Sequence, residues 1–530
     1  MIKTDINVNI GYNTEDIKLE ISRSLGFPSS EINSLEIIKK ELKLGELGAG
    51  FRLSVAFCTS PEREAGLLKI RKKVSPYAFL PLEIKRTNIP SYPVVVGAGP
   101  AGLFAALVLA EAGECPTVLE RGERIDQRQR TVDKFFKSGA LSPESNAQFG
   151  EGGAGAFSDG KLKFGARDKY NYKVLSELVA AGAEEGILYT KGAHLGTDNL
   201  PRLVATLRDK IISLGGSFIF GARLTDIDIT DGRVTGCTFE RDGRSEKIDT
   251  DTVFLAIGHS ARDTFSMLYT KGIPMEQRPF GLGVRIEHPR EYINKLIYGD
   301  AALADSLGTA SYHLVSHLPS GRSVYSFCMC PGGVVVPAAG SVGGVVTNGM
   351  SEYSRMADNS NAAHLVSLTP EDFASEHPLA GFELQRKIEE KAFRLCGGDY
   401  TAPAIRMEDF LAGKAPAADF TEVKPSYAVG VKKISPECYL PDFVTDSLKS
   451  GISEFDKWLS GFNLPTAVLT GPETRSTSPV RLLRDEQTRE CPTARGLYPI
   501  GEGSGYSGGI VSSAQDGVRS AESLLLKLRS

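Results

Sequence analysis

The chain has 530 residues, with Lys+Arg 61 against Asp+Glu 65 and a formal net charge of −4. Such a length predicts several domains, at roughly 100–200 residues each, and 41% apolar with 24% charged residues describes a folded globular protein. The near balance of charge leaves no basic stripe for nucleic acid, and the 56 glycines, about 11% where roughly 7% is usual, follow no Gly-X-Y period that would mean collagen.

The first 90 residues read as a small α+β unit. Ile2–Ile10 is strand-like, Glu15–Leu25 is an amphipathic helix, and Phe51–Cys58 is another strand. Polar, Gly-rich Leu44–Gly50 joins the middle elements, and Pro76 to Pro93 looks like a linker. No apolar signal follows Met1, so a reducing, cytoplasmic compartment is expected. Six of the eight cysteines are scattered, and Cys328-Met329-Cys330 alone places two close together. Neither a disulfide framework nor a zinc module is expected. The longest uncharged apolar stretch, Ser91 to Ala110, carries glycines and prolines, and no membrane span is expected from it.

From Tyr92 the pattern changes. Pro93-Val-Val-Val96 is a short buried-type strand, and Gly97-Ala-Gly-Pro-Ala-Gly102 follows it into an apolar helix over Leu103–Ala112. Cys115–Glu120 is a second strand ending in an acid, 18 residues after Gly102. This is the strand–GxGxxG–helix–strand context of a dinucleotide site. Gly97 allows the tight turn, Gly99 lets backbone approach a pyrophosphate, and Gly102 permits close helix–strand packing. The helix N-terminus presents unpaired N–H groups to the anion, and Glu120 would accept hydrogen bonds from a ribose. FAD and NAD both fit this fingerprint.

Further along, Leu224–Ile229, Val234–Glu240 and Lys247–Asp249 are strand-like and separated by Asp231-Gly232 and Asp242-Gly243, which predicts an antiparallel meander. Asp251–Ile257 is a buried strand ending at Gly258-His259, and Ser260-Ala-Arg262-Asp263 looks like a helix start. Between about 275 and 470 the pattern is mixed, with strands at Gly281–Ile286 and Ser323–Cys330 and a helix at Phe382–Leu395. The last helix has an apolar face of Ile510, Ala514, Val518, Ala521, Leu525 and Leu528.

Two more Gly-rich segments select a flavin. Residues 148–161 combine five glycines with an acid and Lys161, and residues 497–510 run from a strand through Gly501-Glu502 to Gly508-Gly509 at the last helix. The acid suits ribityl hydroxyls, and the helix N-terminus suits the flavin edge where negative charge develops on reduction. Thirteen of the 56 glycines fall at 97–102, 150–160 and 501–509.

The segments VVVGAGPAGLFAALVLAEAG (94–113), NAQFGEGGAGAFSDGKL (146–162), AIGHSARDT (256–264), GVRIEHP (283–289), FCMCPGG (327–333), GPETRSTSPVR (471–481) and YPIGEGSGYSGGI (498–510) carry a resemblance. The chain resembles the uncharacterised FAD-dependent dehydrogenases, also called NAD(FAD)-utilising dehydrogenases, within the glutathione-reductase-like flavoproteins. The likeness covers roughly 90–530. In place of the family's Arg-rich N-terminal strand stands Ile37-Ile-Lys-Lys-Glu-Leu. The resemblance implies an α/β fold with a Rossmann-type FAD domain, a central parallel sheet and β-meander (91–275 and 471–530), a mixed α+β substrate domain (276–470) and the small unit at 1–90. It also implies that Gly97, Gly99, Pro100, Ala101 and Gly102 hold the pyrophosphate, with Glu120, Arg121, Leu224 and Gly258 on the adenosine side. Gly501, Glu502, Gly508, Gly509 and Ile510 would hold the ribityl and flavin portion, and Gly153, Ala154 and Gly155 would line the isoalloxazine.

Candidates for substrate-side chemistry are Lys161, His259, Arg285, His288, Cys328, Cys330 and Arg475. On a strand, Cys328 and Cys330 share a face, so they read either as a dithiol relay or as small core residues. Arg285 and Glu287 share a strand face and read as a charge pair, and Arg475 suits an anionic substrate or a nicotinamide phosphate. No metal site is expected. Since a second fingerprint is absent, NADH or NADPH would dock transiently beside the flavin. These readings predict an FAD-dependent oxidoreductase acting on a small molecule. The alternatives are a flavin-dependent monooxygenase, or a non-catalytic FAD protein that binds a protein partner through residues 1–90.

Overall fold

In the computed structural model residues 1–45, 48–69, 73–87, 91–165, 167–416 and 419–529 are described. Parts of the predicted 44–50 connection and of the 76–93 linker therefore lie outside the described residues. The N-terminal unit is a four-stranded antiparallel sheet in the order Ser34–Gly45, Gly48–Cys58, Ile2–Asn9, Ser75–Pro76. Ile2, Ile6 and Val8 alternate inward along their strand and meet Ile17, Ile21 and Leu25 of helix Thr14–Leu25. Asn13 caps that helix with its side chain and receives the Asp16 carboxylate in return. The strand holding Ile37–Leu42 is not free: its Lys40 N–H donates to Tyr189 O (2.7 Å), and Lys191 N–H donates to Lys40 O (3.0 Å). These two main-chain bonds dock the unit to the rest of the chain.

Beyond the linker lies a five-stranded parallel sheet in the order Leu497–Pro499, Val253–Leu255, Val94–Val96, Thr117–Glu120, Ser217–Phe220. Parallel strands buried on both faces read as continuous apolar runs, as Val94-Val-Val96 does. Helix Pro100–Glu111 is buried along nearly its whole length, because the terminal helix Ile510–Arg529 packs on it so closely that a Cβ at Gly517 would lie 2.1 Å from Ala101 O. The buried face of the terminal helix includes Val511, Ala514, Val518, Ala521, Leu524 and Leu525. Leu528, expected on that face, is 46% exposed in the last turn. The predicted meander is a separate antiparallel sheet of Arg223–Thr230, Arg233–Arg241 and Arg244–Asp249, and both Asp-Gly turns have positive φ at each residue. Among the described residues no helix is long and apolar enough to cross a membrane, and the 91–110 stretch divides into buried strand, turn and helix.

The third body is built on a seven-stranded sheet in the order Val315–His317, Ser323–Cys330, Asn359–Leu368, Phe280–Pro289, Val468–Glu473, Ala402–Arg406, Val431–Lys433. Its strands are antiparallel except for the last pair. Helix Asp442–Trp458 covers one face with Val444, Leu448, Ile452 and Phe455 against Leu282, Val284 and Val366. Strand Val468–Glu473 carries this sheet three residues beyond position 470 and brings Glu473 to the junction with the parallel-sheet body.

Candidate functional site

The three Gly-rich segments converge on one cleft of about 1820 Å³, mouth included. Its lining contains Gly97, Gly99, Pro100, Ala101, Glu120, Arg121, Gly153, Ala154, Gly155, Leu224 and Gly258. Gly501, Glu502, Gly508, Gly509, Ile510, Lys161, His259, Cys328 and Arg475 also line it, together with Phe327, Asn348 and Glu473 of the third body. Gly102 and Cys330 are absent from that lining and stand behind it. A Cβ at Gly102 would fall 1.9 Å from Gly97 O, so this glycine lets the helix sit on the turn rather than touching a ligand. Gly97 itself has φ +105°, and a Cβ there would fall 2.3 Å from Ala256 O.

The residues present fit a dinucleotide such as FAD. Helix Pro100–Glu111 has Gly99 as its N-cap, no side-chain cap and no acid in its first turn, so its first N–H groups face the cleft unclaimed by a side chain. The terminal helix likewise begins beside the cleft without an acid in its first turn. At Gly258, Gly508 and Gly509 a Cβ would meet no protein atom within 4 Å, so open space lies over three backbone stretches that line the cleft.

Glu120 has a different geometry from the ribose acceptor expected of it. Its buried carboxylate accepts backbone N–H groups from Ala98 (2.8 Å), Gly122 (2.9 Å) and Gly150 (2.9 Å). It thus stitches the fingerprint turn to the second Gly-rich loop, using about three of its four lone-pair positions. The same loop is organised by Arg128, which sequence reasoning missed. Fully buried, its guanidinium donates to the carbonyls of Asn146 (3.0 Å), Gly150 (3.1 Å), Glu151 (2.7 Å) and Gly153 (2.8 Å). Burial pulls its pKa down to about 10 against the charges of Glu120 and Glu151. A signal was present: Ile125, Arg128, Val132 and Phe135 follow the spacing of one helix face, so a cation sits in an apolar stripe. Arg121 stacks over Phe149 at 4.0 Å while paired with Glu144 and Asp263.

Lys161 donates to Met329 O (2.9 Å) and ties the second loop to the Cys328–Cys330 strand. Burial lowers its pKa, with Asp159 opposing. Arg285 does not pair with Glu287. It is fully buried and makes a bidentate ion pair with Glu473 (both contacts 3.0 Å), while Glu287 accepts from Ser426 and Asn359. Strand Val468–Glu473 lies beside strand Phe280–Pro289 and supplies the nearer carboxylate. His288 points into the core, with Nε2 at 2.7 Å from Phe462 O, and it takes no part in the cleft.

His259 and Arg475 do line the cleft, but neither is free. Arg475 pairs through Nε (3.1 Å) and a terminal nitrogen (2.9 Å) with the buried Glu389, which Arg262 also grips at 2.9 Å. Burial works to raise the Glu389 pKa, but the two guanidiniums outweigh it and hold it at about 2. Burial, then the charges of Arg475 and Arg262, depress the His259 pKa to about 4. At neutral pH its imidazole is therefore uncharged and carries no proton that an imidazolium would donate.

Glu502 and Glu473, both in the cleft lining, shift the opposite way. Burial pushes the Glu502 pKa up to about 7, against a hydrogen bond from the Gly509 N–H and the charge of Arg278. An unfolded glutamate ionises near its ordinary value of 4.5, whereas the folded one stays protonated until about 7. Stability of the ligand-free protein is therefore unaffected by this group below pH 4.5, falls as pH rises from there to about 7, and stays lowered above. Glu502→Gln should remove that fall and be more stable than wild type by about 2 kcal/mol above neutrality. Denaturant unfolding across pH checks this, and parallel profiles for the two proteins would refute it.

Comparison with known proteins places the chain. An uncharacterized protein of Clostridium beijerinckii is 43% identical over 533 residues, 99% of this chain and 98% of that protein. Residues 279–476 match the family described as FAD-dependent protein, C-terminal domain-like. The chain belongs to one family with that Clostridium beijerinckii protein, and its residues 279–476 carry the FAD-dependent-protein C-terminal domain. That domain holds the seven-stranded sheet and contributes Cys328, Asn348, Glu473 and Arg475 to the cleft. A local match of 58 residues links the chain to an L-amino acid oxidase of Crotalus durissus cumanensis, 53% identical but covering 10% of this chain and 12% of that protein. Among solved structures, the flavin-dependent brominase Bmp2 is similar at a TM-score of 0.39 and 11% identity, covering 83% of this chain and 80% of that one. An E. coli quinol fumarate reductase is similar at 0.36 and 12%, covering 83% and 71%. Scores of that size assign neither reaction to this chain.

Proposed function

We propose that the protein is an FAD-dependent oxidoreductase that takes a hydride from a nicotinamide dinucleotide docking transiently in the cleft and passes it to a small molecule. The observation that carries this reading is the convergence of all three Gly-rich segments, two helix N-termini and the FAD-dependent-family domain on one cleft. Bound FAD would supply the two-electron hydride chemistry itself. The chain's part is positioning and electrostatics. The backbone at Gly97–Ala101 would hold the pyrophosphate, Arg121 and Leu224 would flank the adenosine, and Gly501–Ile510 would hold the ribityl and ring portion. The N-terminus of Ile510–Arg529 stabilises negative charge brought near it. Lys161, Asn348, Cys328 and the one Arg475 nitrogen that Glu389 does not take would face substrate from the cleft lining.

Purified protein should be yellow and its flavin should bleach anaerobically on mixing with NADH or NADPH. No flavin uptake at micromolar FAD would sink the cofactor reading. Bound flavin that neither dinucleotide reduces would sink the donor. Oxygen uptake stimulated by an organic substrate would point instead to a monooxygenase.

A further inference from the structure

A second cavity lies away from the cleft, at the seam where the N-terminal unit meets the rest of the chain, and a lysine is turned into it. Strand Ser34–Gly45 pairs with Gly48–Cys58 so that Leu35 stands opposite Phe57 and Ile37 opposite Val55. The register then shifts between Ile37 and Lys39, a bulge that re-aims the rest of the strand. Lys40 comes to stand opposite Leu53, and directly opposed residues of an antiparallel pair share a face. Phe57, Val55 and Leu53 are fully buried core residues of the unit. Without the extra residue, Lys40 would share the opposite face with Glu36.

That placement leaves the lysine without a counter-charge. Its ammonium lies over two rings, 4.1 Å from the Phe51 centroid and 5.1 Å from that of Tyr12. It makes no ion pair or hydrogen bond among the described residues. The acids around it are committed elsewhere: Glu36 pairs with Arg167, Glu41 with Lys39 and Lys191, and Asp16 accepts from the Asn13 N–H. Burial, with no acid opposing it, lowers the Lys40 pKa. Lys40 lines a cavity of about 740 Å³, mouth included, with Tyr12, Phe51 and Ile17 of the unit, Tyr189 of the parallel-sheet body and Ser306 of the third body. The Tyr12 and Tyr189 hydroxyls form no protein hydrogen bond among the described residues. Apolar walls with one cation and a few unclaimed hydroxyls make up the lining of a small-molecule pocket.

We propose that this seam cavity binds a small aromatic carboxylate, with the carboxylate on the Lys40 ammonium and the ring among Phe51, Ile17 and Ile37. A single cation in the lining selects a single negative charge. A carboxylate concentrates that charge at one end, where the tyrosine hydroxyls can also donate to it, and leaves an apolar body for the apolar walls. Inorganic phosphate, polar on every side, would lose hydration against those walls with no second cation in return. The site is separate from the FAD cleft and does not rest on the FAD reading. Its walls come from all three bodies, so its occupant binds the docked N-terminal unit and favours the docked state.

Titration calorimetry of the full chain, as purified, with benzoate tests this. Saturable binding of one benzoate per chain is expected, with any flavin absorbance unmoved. Lys40→Met and, from the opposite wall, Ser306→Trp should each weaken it at least about tenfold, as should replacing benzoate by the uncharged benzyl alcohol. Lys39→Met, on the other face of the same strand, should leave it unchanged. Circular dichroism reports whether each variant folds, and Ser306 is exposed, so Ser306→Trp decides the matter if Lys40→Met does not fold. No saturation by about 10 mM benzoate, equal binding of the alcohol, or full-strength binding in the folded variants would overturn the proposal. Benzoate that shifts the flavin spectrum and binds both variants as it does the wild type sits in the cleft, which overturns it too.

Discussion

Gly99→Leu is expected to purify folded but colourless, with flavin occupancy below about a tenth of wild type, a loss of at least about 1.4 kcal/mol in binding. The position has extended backbone, φ −78° and ψ −177°, which any residue adopts. A Cβ there would find its nearest neighbour, the Gly153 Cα, at an ordinary 3.7 Å. The leucine therefore leaves the fold alone and projects between the two Gly-rich loops, where a pyrophosphate needs bare backbone. Gly102→Ala is the control with the opposite cause. Its Cβ would lie 1.9 Å from Gly97 O and 3.2 Å from the Ala256 Cβ, so helix and strand must part, at a cost of roughly 3 kcal/mol or more. Visible absorbance reports the flavin and circular dichroism the fold. Gly99→Leu that stays yellow would show that the cleft does not take a dinucleotide at this turn.

Arg128→Met is expected to be among the most damaging single substitutions outside the cleft lining. The methionine fills much of the volume but leaves the Asn146 and Glu151 carbonyls without the Arg128 donor, while those of Gly150 and Gly153 keep only their backbone bonds from Gly153 and Ala156. At about 1–3 kcal/mol for a buried group left unpaired, with partial relaxation of the loop, a loss of about 4 kcal/mol follows. Flavin content should fall with it, because Gly153 shares the cleft with Gly99. Arg128→Lys should rescue part of the loss, since three of the four bonds come from one terminal nitrogen that a three-proton ammonium can stand in for, whereas the Nε bond to Asn146 O is lost. A thermal midpoint unchanged in Arg128→Met would refute this account of the loop.

Both predictions bear on how much was legible beforehand. The fingerprint turn is local: tight turn, helix start and acid-terminated strand follow one another within about two dozen residues, and their residue types have backbone reasons. The meander is legible for the same reason, because Asp-Gly pairs dictate the turn between adjacent strands. Arg285 shows where such reasoning stops. Its nearest acid on the same strand face is Glu287, yet the pairing partner is Glu473, 188 residues away. His288 next to it reads as a site residue by type and is a core residue by position. Arg475 looks like an open anion site in the sequence, whereas Glu389, from a helix some 86 residues earlier, claims two of its nitrogens.

The sequence by itself determined the cofactor-type backbone, because glycine at 97, 99 and 102 and the glycines of 150–160 and 501–509 encode conformations and close approaches that few other residues allow. Only the tertiary structure decided what the side chains around that backbone do. Glu120 became a stitch between loops, Arg128 a buried organiser, and Cys328 lined the cleft with Cys330 buried behind it. The physical reason is range. Backbone freedom is a property of a residue and its neighbours in the chain, whereas a carboxylate, guanidinium or thiol takes its charge state and partner from whatever the fold brings within about 4 Å.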